Sequence, residues 1–213
     1  MDDLFADSLL GPPRQLADGV MLLPGFALAE QQSIWQAVQT ILQQAPLSRM
    51  QTPGGKPMSV TMSNCGQLGW VSDQHGYRYQ DCHPQTLQPW PAMPLQLSEL
   101  ATQAAATAGY AGFASNACLI NCYETGSRMS LHQDRDERDF RQPIVTLSLG
   151  LTAQFQLGGC QRQDPKQKVQ LRHGDILVFG GPARLCFHGI LPLVPGWHPL
   201  LGSRRISLTF RCA

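Results

Sequence analysis

From residue 117 onward the chain is written as a succession of short apolar segments, ACLINCYE, PIVTLSLGL, AQFQLGG, KVQLRHG, DILVFGG, ARLCFHGI and RRISLTFRC, separated by Gly, Pro or Asp. Segments this short, with turn residues between them and no helical text to carry crossovers, exclude alternating β-α units. They predict a mainly β fold with an antiparallel jelly-roll core (a double-stranded β-helix) over residues 117–213. A chain of 213 residues, 43% of them hydrophobic, suffices for one domain with a full core, so residues 1–213 are read as a single domain.

Two flanking helices are expected upstream. In AEQQSIWQAVQTILQQAP, residues Ile34, Val38, Ile41 and Leu42 form one helical stripe that Pro46 ends. In LQLSELATQAAATAGY, residues Leu97, Leu100, Ala101 and Ala104 repeat the spacing until Gly109. Between the helices, residues 50–92 hold Trp70, Tyr77, Tyr79 and Trp90 amid Gly, Pro and Asn. That mixture predicts short strands and ordered loops that display aromatic rings, either capping a small core or forming a lid over a site.

Charge and cysteine usage bound the function. The formal net charge is +1, so no global basic field draws the protein to a polyanion, and any nucleic-acid contact must come from a local patch. The seven cysteines are scattered and include no C-x-x-C pair, which argues against a disulfide framework and a structural zinc site and for a reducing compartment. The opening MDDLFADSLLGPPR lacks the features of a secretory signal, and no run of eighteen apolar residues suggests a membrane span. A soluble, cytoplasmic protein is expected.

Against this sparsely charged background, LHQDRDE at 131–137 concentrates one histidine and three carboxylates. If the stretch is extended, a period of two puts His132, Asp134 and Asp136 on one side. A second histidine, His188, lies several strands downstream in ARLCFHGI. His-x-Asp with a distant strand-borne histidine is the arrangement of two imidazoles and one carboxylate that holds Fe(II) by one face and leaves the other positions open. Copper, nickel or zinc could take the same ligands.

The last strand, RISLTFR, alternates Arg205, Ser207, Thr209 and Arg211 with Ile206, Leu208 and Phe210. Two arginines facing inward beside a metal would be costly unless they met anions, and a dicarboxylate satisfies both through the planar guanidinium fork. In CLINCYE the same alternation sets Asn121 and Tyr123 together, where amide and phenol would add neutral hydrogen bonds.

NCYETGSRMSLHQDRDE, His188 and RISLTFR together resemble the AlkB family of iron- and 2-oxoglutarate-dependent nucleic-acid dealkylases. The likeness extends through PGGKPMSVTMSNCGQLGW, GYRY and PQTLQPWPAMP, so it covers nearly the whole chain. It implies that His132, Asp134 and His188 bind Fe(II). Asn121, Tyr123, Arg205 and Arg211 would hold 2-oxoglutarate, Arg205 at its distal carboxylate and Arg211 nearer the metal. Ser207 departs from the pattern, since bacterial members commonly carry Asn there, and one cosubstrate hydrogen bond is thereby altered.

The family reaction uses O2 and 2-oxoglutarate to oxidise an N-alkyl group, releasing formaldehyde, succinate and CO2. The alkylated base, in DNA or also RNA, leaves its stack and is sandwiched between an aromatic ring and the first iron-ligating histidine, here Trp70 and His132. Tyr77, Tyr79 and Arg162, the last within CQRQDPKQKVQLR, would contact the backbone. Asp136 would favour cationic lesions such as N1-methyladenine and N3-methylcytosine, or else orient His132 or act as a solvated loop acid. Residues 50–92 would form the nucleotide-recognition lid, and a monomer is expected. Competing readings are the same chemistry on a protein or small molecule, and a non-catalytic module that binds damaged DNA.

Overall fold

The computed structural model describes residues 10–213, and the acidic opening segment lies, as far as residue 9, outside them. Thirteen strands and two α-helices follow in chain order. The first strands are β1 (Arg14–Ala17), β2 (Val20–Leu23), β3 (Thr61–Gly66), β4 (Gly69–Asp73) and β5 (Gly76–Gln80). The region from residue 117 supplies β6 (Ala117–Tyr123), β7 (Met129–His132), β8 (Ile144–Gly150), β9 (Ala153–Leu157), β10 (Gln167–Leu171), β11 (Ile176–Phe179), β12 (His188–Ile190) and β13 (Arg205–Arg211). Helices α1 (Gln31–Gln44) and α2 (Leu95–Thr107) precede it.

The eight strands from β6 onward are dealt between two antiparallel sheets, as the spacing of short segments predicts. β6, β8, β11 and β13 sit in a seven-stranded sheet of order β1-β2-β11-β8-β13-β6-β3, and β7, β9, β10 and β12 form a four-stranded sheet of order β10-β9-β12-β7. β4 and β5 stand apart as a hairpin.

Every residue of β6, β8 and β13 is buried, so the large sheet is covered on both faces. Strand alternation then sorts the side chains. Ile206, Leu208 and Phe210 join Ile34, Val38 and Ile41 of α1 and Leu97, Leu100 and Ala101 of α2 in one apolar cluster. Arg205, Ser207, Thr209 and Arg211 point the other way, into a cavity between the sheets. The helices thus carry no chemistry; they close one face of the sheet whose other face is polar.

Three local expectations need correction. The stretch before α1, for which the sequence predicts no strand, contains the hairpin β1-β2, which extends the large sheet through β11. Its turn is Asp18-Gly19, with Gly19 at φ +78° and packed so tightly that a Cβ there would lie 2.2 Å from the Gly180 carbonyl. ARLCFHGI is a strand only from His188, because turn hydrogen bonds Arg184 N–H to Gly181 O and Cys186 N–H to Ala183 O coil the residues before it. Finally, β7 stops at His132, so Asp134 and Asp136 belong to the loop that follows and not to an extended strand.

Candidate active site

β7 and β12 are antiparallel neighbours, with His132 directly opposite His188. This register, and not the extended period, brings the ligand set together: as β7 ends, the chain turns and returns Asp134 between the two imidazoles. His132 Nε2 lies 3.5 Å from Asp134 Oδ1, and His188 Nε2 lies 3.8 Å from Asp134 Oδ2. The candidate donor atoms of the three residues all fall within 4.8 Å of one another.

The tautomers follow from the backbone. His132 Nδ1 sits 2.8 Å from Ser130 O, and His188 Nδ1 sits 3.1 Å from Cys186 O. A carbonyl can only accept, so each Nδ1 carries the proton and each Nε2 turns a lone pair toward the cluster. Burial, with the adjacent His132, lowers His188 to about 4. For His132 burial also pulls downward, but the hydrogen bond and charge of Asp134 more than offset it. Burial pushes the Asp134 carboxyl upward, and the Arg211 guanidinium with the His132 hydrogen bond outweighs that, so the carboxyl stays well below its usual range. Two neutral imidazoles and one carboxylate fit a divalent iron bound by one face.

Beside the triad lies a cavity of about 850 Å³, deep enough to hold a second small molecule and open to a larger one. Asn121, Tyr123, Arg205, Ser207 and Arg211 all line it, on the two neighbouring strands β6 and β13. Arg205 is 1% exposed, lies 4.9 Å from the Tyr123 ring and donates Nη2–H to Ser148 Oγ at 2.9 Å. Its Nε and Nη1, and Asn121 Oδ1, are buried without a partner. Unsatisfied buried donors on a guanidinium are costly, and a carboxylate is the group whose geometry meets them. The residues therefore fit 2-oxoglutarate.

Arg211 is held differently: Nη2 donates to Asp134 Oδ2 at 2.7 Å, while Nε, which makes no hydrogen bond, lies 3.3 Å from the charge of Glu137 Oε1. Ser207, at 4% exposure, contributes a short hydroxyl between the arginines.

At the mouth, β4 and β5 put Trp70 and Tyr77 face to face, with ring centroids 5.5 Å apart and planes 14° from parallel. Trp70 Nε1–H donates to Asp136 Oδ2 at 2.7 Å. No hydrogen bond joins Asp136 to His132, whose Nδ1 meets Ser130 O instead. Arg162 also lines the cavity and stacks its guanidinium 5.0 Å from the Phe187 ring.

Tyr79 does not join the lining. Its hydroxyl donates to Glu137 Oε1 at 2.6 Å, and burial pushes its ionisation upward. The hairpin residue expected to face a nucleic-acid backbone is thereby tied to the charge network beneath the triad.

That network is what sequence reasoning missed. Glu137 (6% exposed) and Arg184 (3% exposed) form a 2.8 Å ion pair, and Arg184 also donates to the backbone carbonyls of Asp134 and Gln142. Together they clamp the loop that carries Asp134. An arginine embedded in the apolar stretch ARLCF was the available signal, since such a residue must find a buried anion.

Comparison with known proteins agrees with this geometry. The family model of the 2OG-Fe(II) oxygenase superfamily matches residues 19–211. The chain is 51% identical over 214 residues to the alpha-ketoglutarate-dependent dioxygenase AlkB of Salmonella typhimurium strain LT2, covering 100% of this chain and 98% of that protein. Identity to the protein of the same name from Escherichia coli K12 is 49% over 215 residues, with the same coverage. Among solved structures, that of OsALKBH1 superposes with a TM-score of 0.83 at 28% identity, covering 95% of this chain and 100% of that one. Similarity over the full chain, joined to an intact His-Asp-His cluster, places the protein in the AlkB family of Fe(II)- and 2-oxoglutarate-dependent dioxygenases.

Proposed function

We propose that the chain removes N-alkyl groups, N1-methyladenine and N3-methylcytosine among them, from the bases of DNA and also RNA, acting as a cytoplasmic monomer with residues 50–92 as its nucleotide-recognition lid. The observation that carries this reading is the composition of one cavity: the metal ligands and an unsatisfied guanidinium inside, and a parallel aromatic pair with a carboxylate at the mouth.

Bound Fe(II), with O2 and 2-oxoglutarate, supplies the oxidising chemistry that releases succinate, CO2 and formaldehyde. The protein's own contribution is placement. His132, Asp134 and His188 would hold the metal, the two imidazoles through Nε2 lone pairs that their backbone hydrogen bonds pre-orient and Asp134 through a carboxylate fixed by Arg211. The Arg205 fork would receive the cosubstrate, with the Tyr123 ring packed against the guanidinium, and the Asn121 carboxamide would donate to it through Nδ2–H. Trp70 and Tyr77 offer aromatic faces to a base that has left its stack, replacing the stacking it loses. Arg162, at the rim, offers a cation to the phosphate backbone. No protein nucleophile is needed for this chemistry.

The test is anaerobic loading with Fe(II) and 2-oxoglutarate, followed by O2 and an oligonucleotide carrying N3-methylcytosine. Formaldehyde should appear together with succinate. Succinate without formaldehyde, or equal succinate with and without the oligonucleotide, would move the substrate to another class of molecule.

A further inference from the structure

The structure assigns a second chemistry to a pair of thiols outside the active site: Cys160 and Cys186 form a peroxide-responsive disulfide site. Their sulfurs lie 3.9 Å apart, in van der Waals contact, although the residues are 26 positions apart in sequence. The pairing of β9 with β12 sets up the contact. His188 is opposite Leu157, and the ladder runs on beyond β9 through Gly158 N–H to Phe187 O and Phe187 N–H to Gly159 O, both 2.8 Å. Cys186 and Cys160 are the next residues on the two chains, side by side where the pairing ends.

The two thiols are not equivalent. Cys160 is exposed, whereas Cys186 is half-buried. A surface cleft of about 630 Å³, lined by Cys186, Gly158, Gly159, Asp164 and Lys166 and excluding the metal ligands, lies on the Cys186 side of the pair, while the exposed Cys160 meets a small oxidant directly from solvent. Cys160 is therefore the sulfur that reacts first and Cys186 the one that resolves it.

The steps balance with hydrogen peroxide as oxidant. Cys160 Sγ, as thiolate, attacks one peroxide oxygen; the O–O bond breaks, hydroxide leaves, and Cys160 becomes a sulfenic acid. Cys186 Sγ then attacks the Cys160 sulfur, the S–O bond breaks, and the departing hydroxide leaves as water with the Cys186 proton. Two thiols are oxidised by two electrons and one peroxide is reduced to two waters.

Closing this bond staples two segments that matter to the site. One is the loop between β9 and β10, which carries Arg162. The other is the turn whose Cys186 carbonyl holds His188 Nδ1–H. Oxidation thus gives the rim a covalent constraint that reduction removes.

The test uses the full-length chain with Fe(II) withheld, because iron and peroxide together generate unselective oxidants. After peroxide treatment and alkylation of remaining thiols, peptide mapping should find Cys160 joined to Cys186 with the loss of two hydrogens, reversed by dithiothreitol. Trypsin cleavage after Arg162, in the exposed loop, should slow in the oxidised chain and recover on reduction. Cys160→Ser and Cys186→Ser should each abolish the cross-linked peptide. Cys186→Ser should in addition let Cys160 progress to sulfinic acid. Overturning results would be unchanged thiols in the wild-type chain, direct overoxidation of Cys160 with Cys186 present, or a cross-link joining a different cysteine.

Discussion

Arg211 donates Nη2–H to Asp134 Oδ2 at 2.7 Å, so the carboxylate that would hold the metal is already bonded on one of its two oxygens. The second oxygen, Oδ1, is the one facing His132 Nε2. A carboxylate held in this way is set up to bind the metal through a single oxygen, which keeps the open positions open. Arg211, expected from sequence to serve the cosubstrate, is first of all the counter-ion of the ligand set.

Removing that counter-ion should therefore act on folding before it acts on binding. Arg211→Gln leaves Asp134 as a buried carboxylate without its guanidinium and Glu137 with Arg184 alone, and breaking a buried pair typically costs about 3–5 kcal/mol. The metal-free variant should unfold at markedly lower urea concentration than wild type. Arg211→Lys, which keeps the charge but loses the fork, should recover part of that stability. Equal stability of wild type and Arg211→Gln would show that the pair contributes nothing net.

Arg205 should behave in the opposite manner. Its Nε and Nη1 have no partner within the protein, so its truncation removes few existing bonds and mainly deletes a receptor for carboxylate. Arg205→Ala is expected to raise the 2-oxoglutarate KM by about tenfold to a hundredfold, as loss of a charge-assisted pair implies, with oligonucleotide Kd nearly unchanged. A parallel rise in both constants would place the arginine in the structure of the cavity instead.

How much of this was legible in the sequence depends on which residues carry it. The two faces of RISLTFR were readable because strand alternation is a local property, and Ile206, Leu208 and Phe210 do separate from Arg205, Ser207 and Arg211. The convergence of His132 with His188 was not local: it comes from the register of β7 on β12, which no spacing within LHQDRDE specifies. The Glu137–Arg184 pair escaped for a related reason, since a charged residue in an apolar run signals a buried partner without naming it. Tyr79 and Tyr77 have the same residue type and adjacent places on one face, yet one meets Glu137 and the other the cavity, a difference set wholly by what packs against the hairpin.

Acid should destabilise the fold through a histidine outside the metal-ligand set. His173 accepts Gly150 N–H at Nδ1 (2.8 Å), and its Nε2–H donates to Gln31 Oε1 (2.8 Å), while its ring stacks on His198 at 4.2 Å. Burial, and then the His198 charge, lower it to about 4. Protonation would set a new Nδ1–H against the Gly150 N–H.

The unfolded chain therefore binds this proton first, as pH falls below the ordinary histidine value, and the folded chain resists until about 4. Stability rises with pH across that window and is lost as pH falls through it, by on the order of 3 kcal/mol in all. Urea denaturation between those pH values should show the slope, and His173→Asn, which keeps a side-chain acceptor but cannot titrate, should flatten it. An unchanged slope in the variant would assign the acid sensitivity to other groups.

The charge of Asp136 is the last feature with a sharp consequence. N1-methyladenine and N3-methylcytosine are cationic near neutral pH, and N3-methylthymine is not. Asp136 stands at the cavity mouth and accepts the Trp70 indole N–H at 2.7 Å, so it combines two roles: it holds one aromatic wall in place, and it brings a negative charge beside that wall. Asp136→Asn separates them, because the amide oxygen can still accept the indole hydrogen while the charge is gone. Asp136 is solvent-facing, so the electrostatic effect should sit at the lower end of the Coulomb range, about twofold to fivefold in kcat/KM. That loss should fall on the N3-methylcytosine oligonucleotide, with turnover of N3-methylthymine and iron occupancy preserved. Asp136→Ala should add a second loss common to both substrates, since Trp70 then loses its anchor. Equal losses on both lesions in Asp136→Asn would reduce the residue to an anchor for Trp70 and leave lesion charge to be read elsewhere.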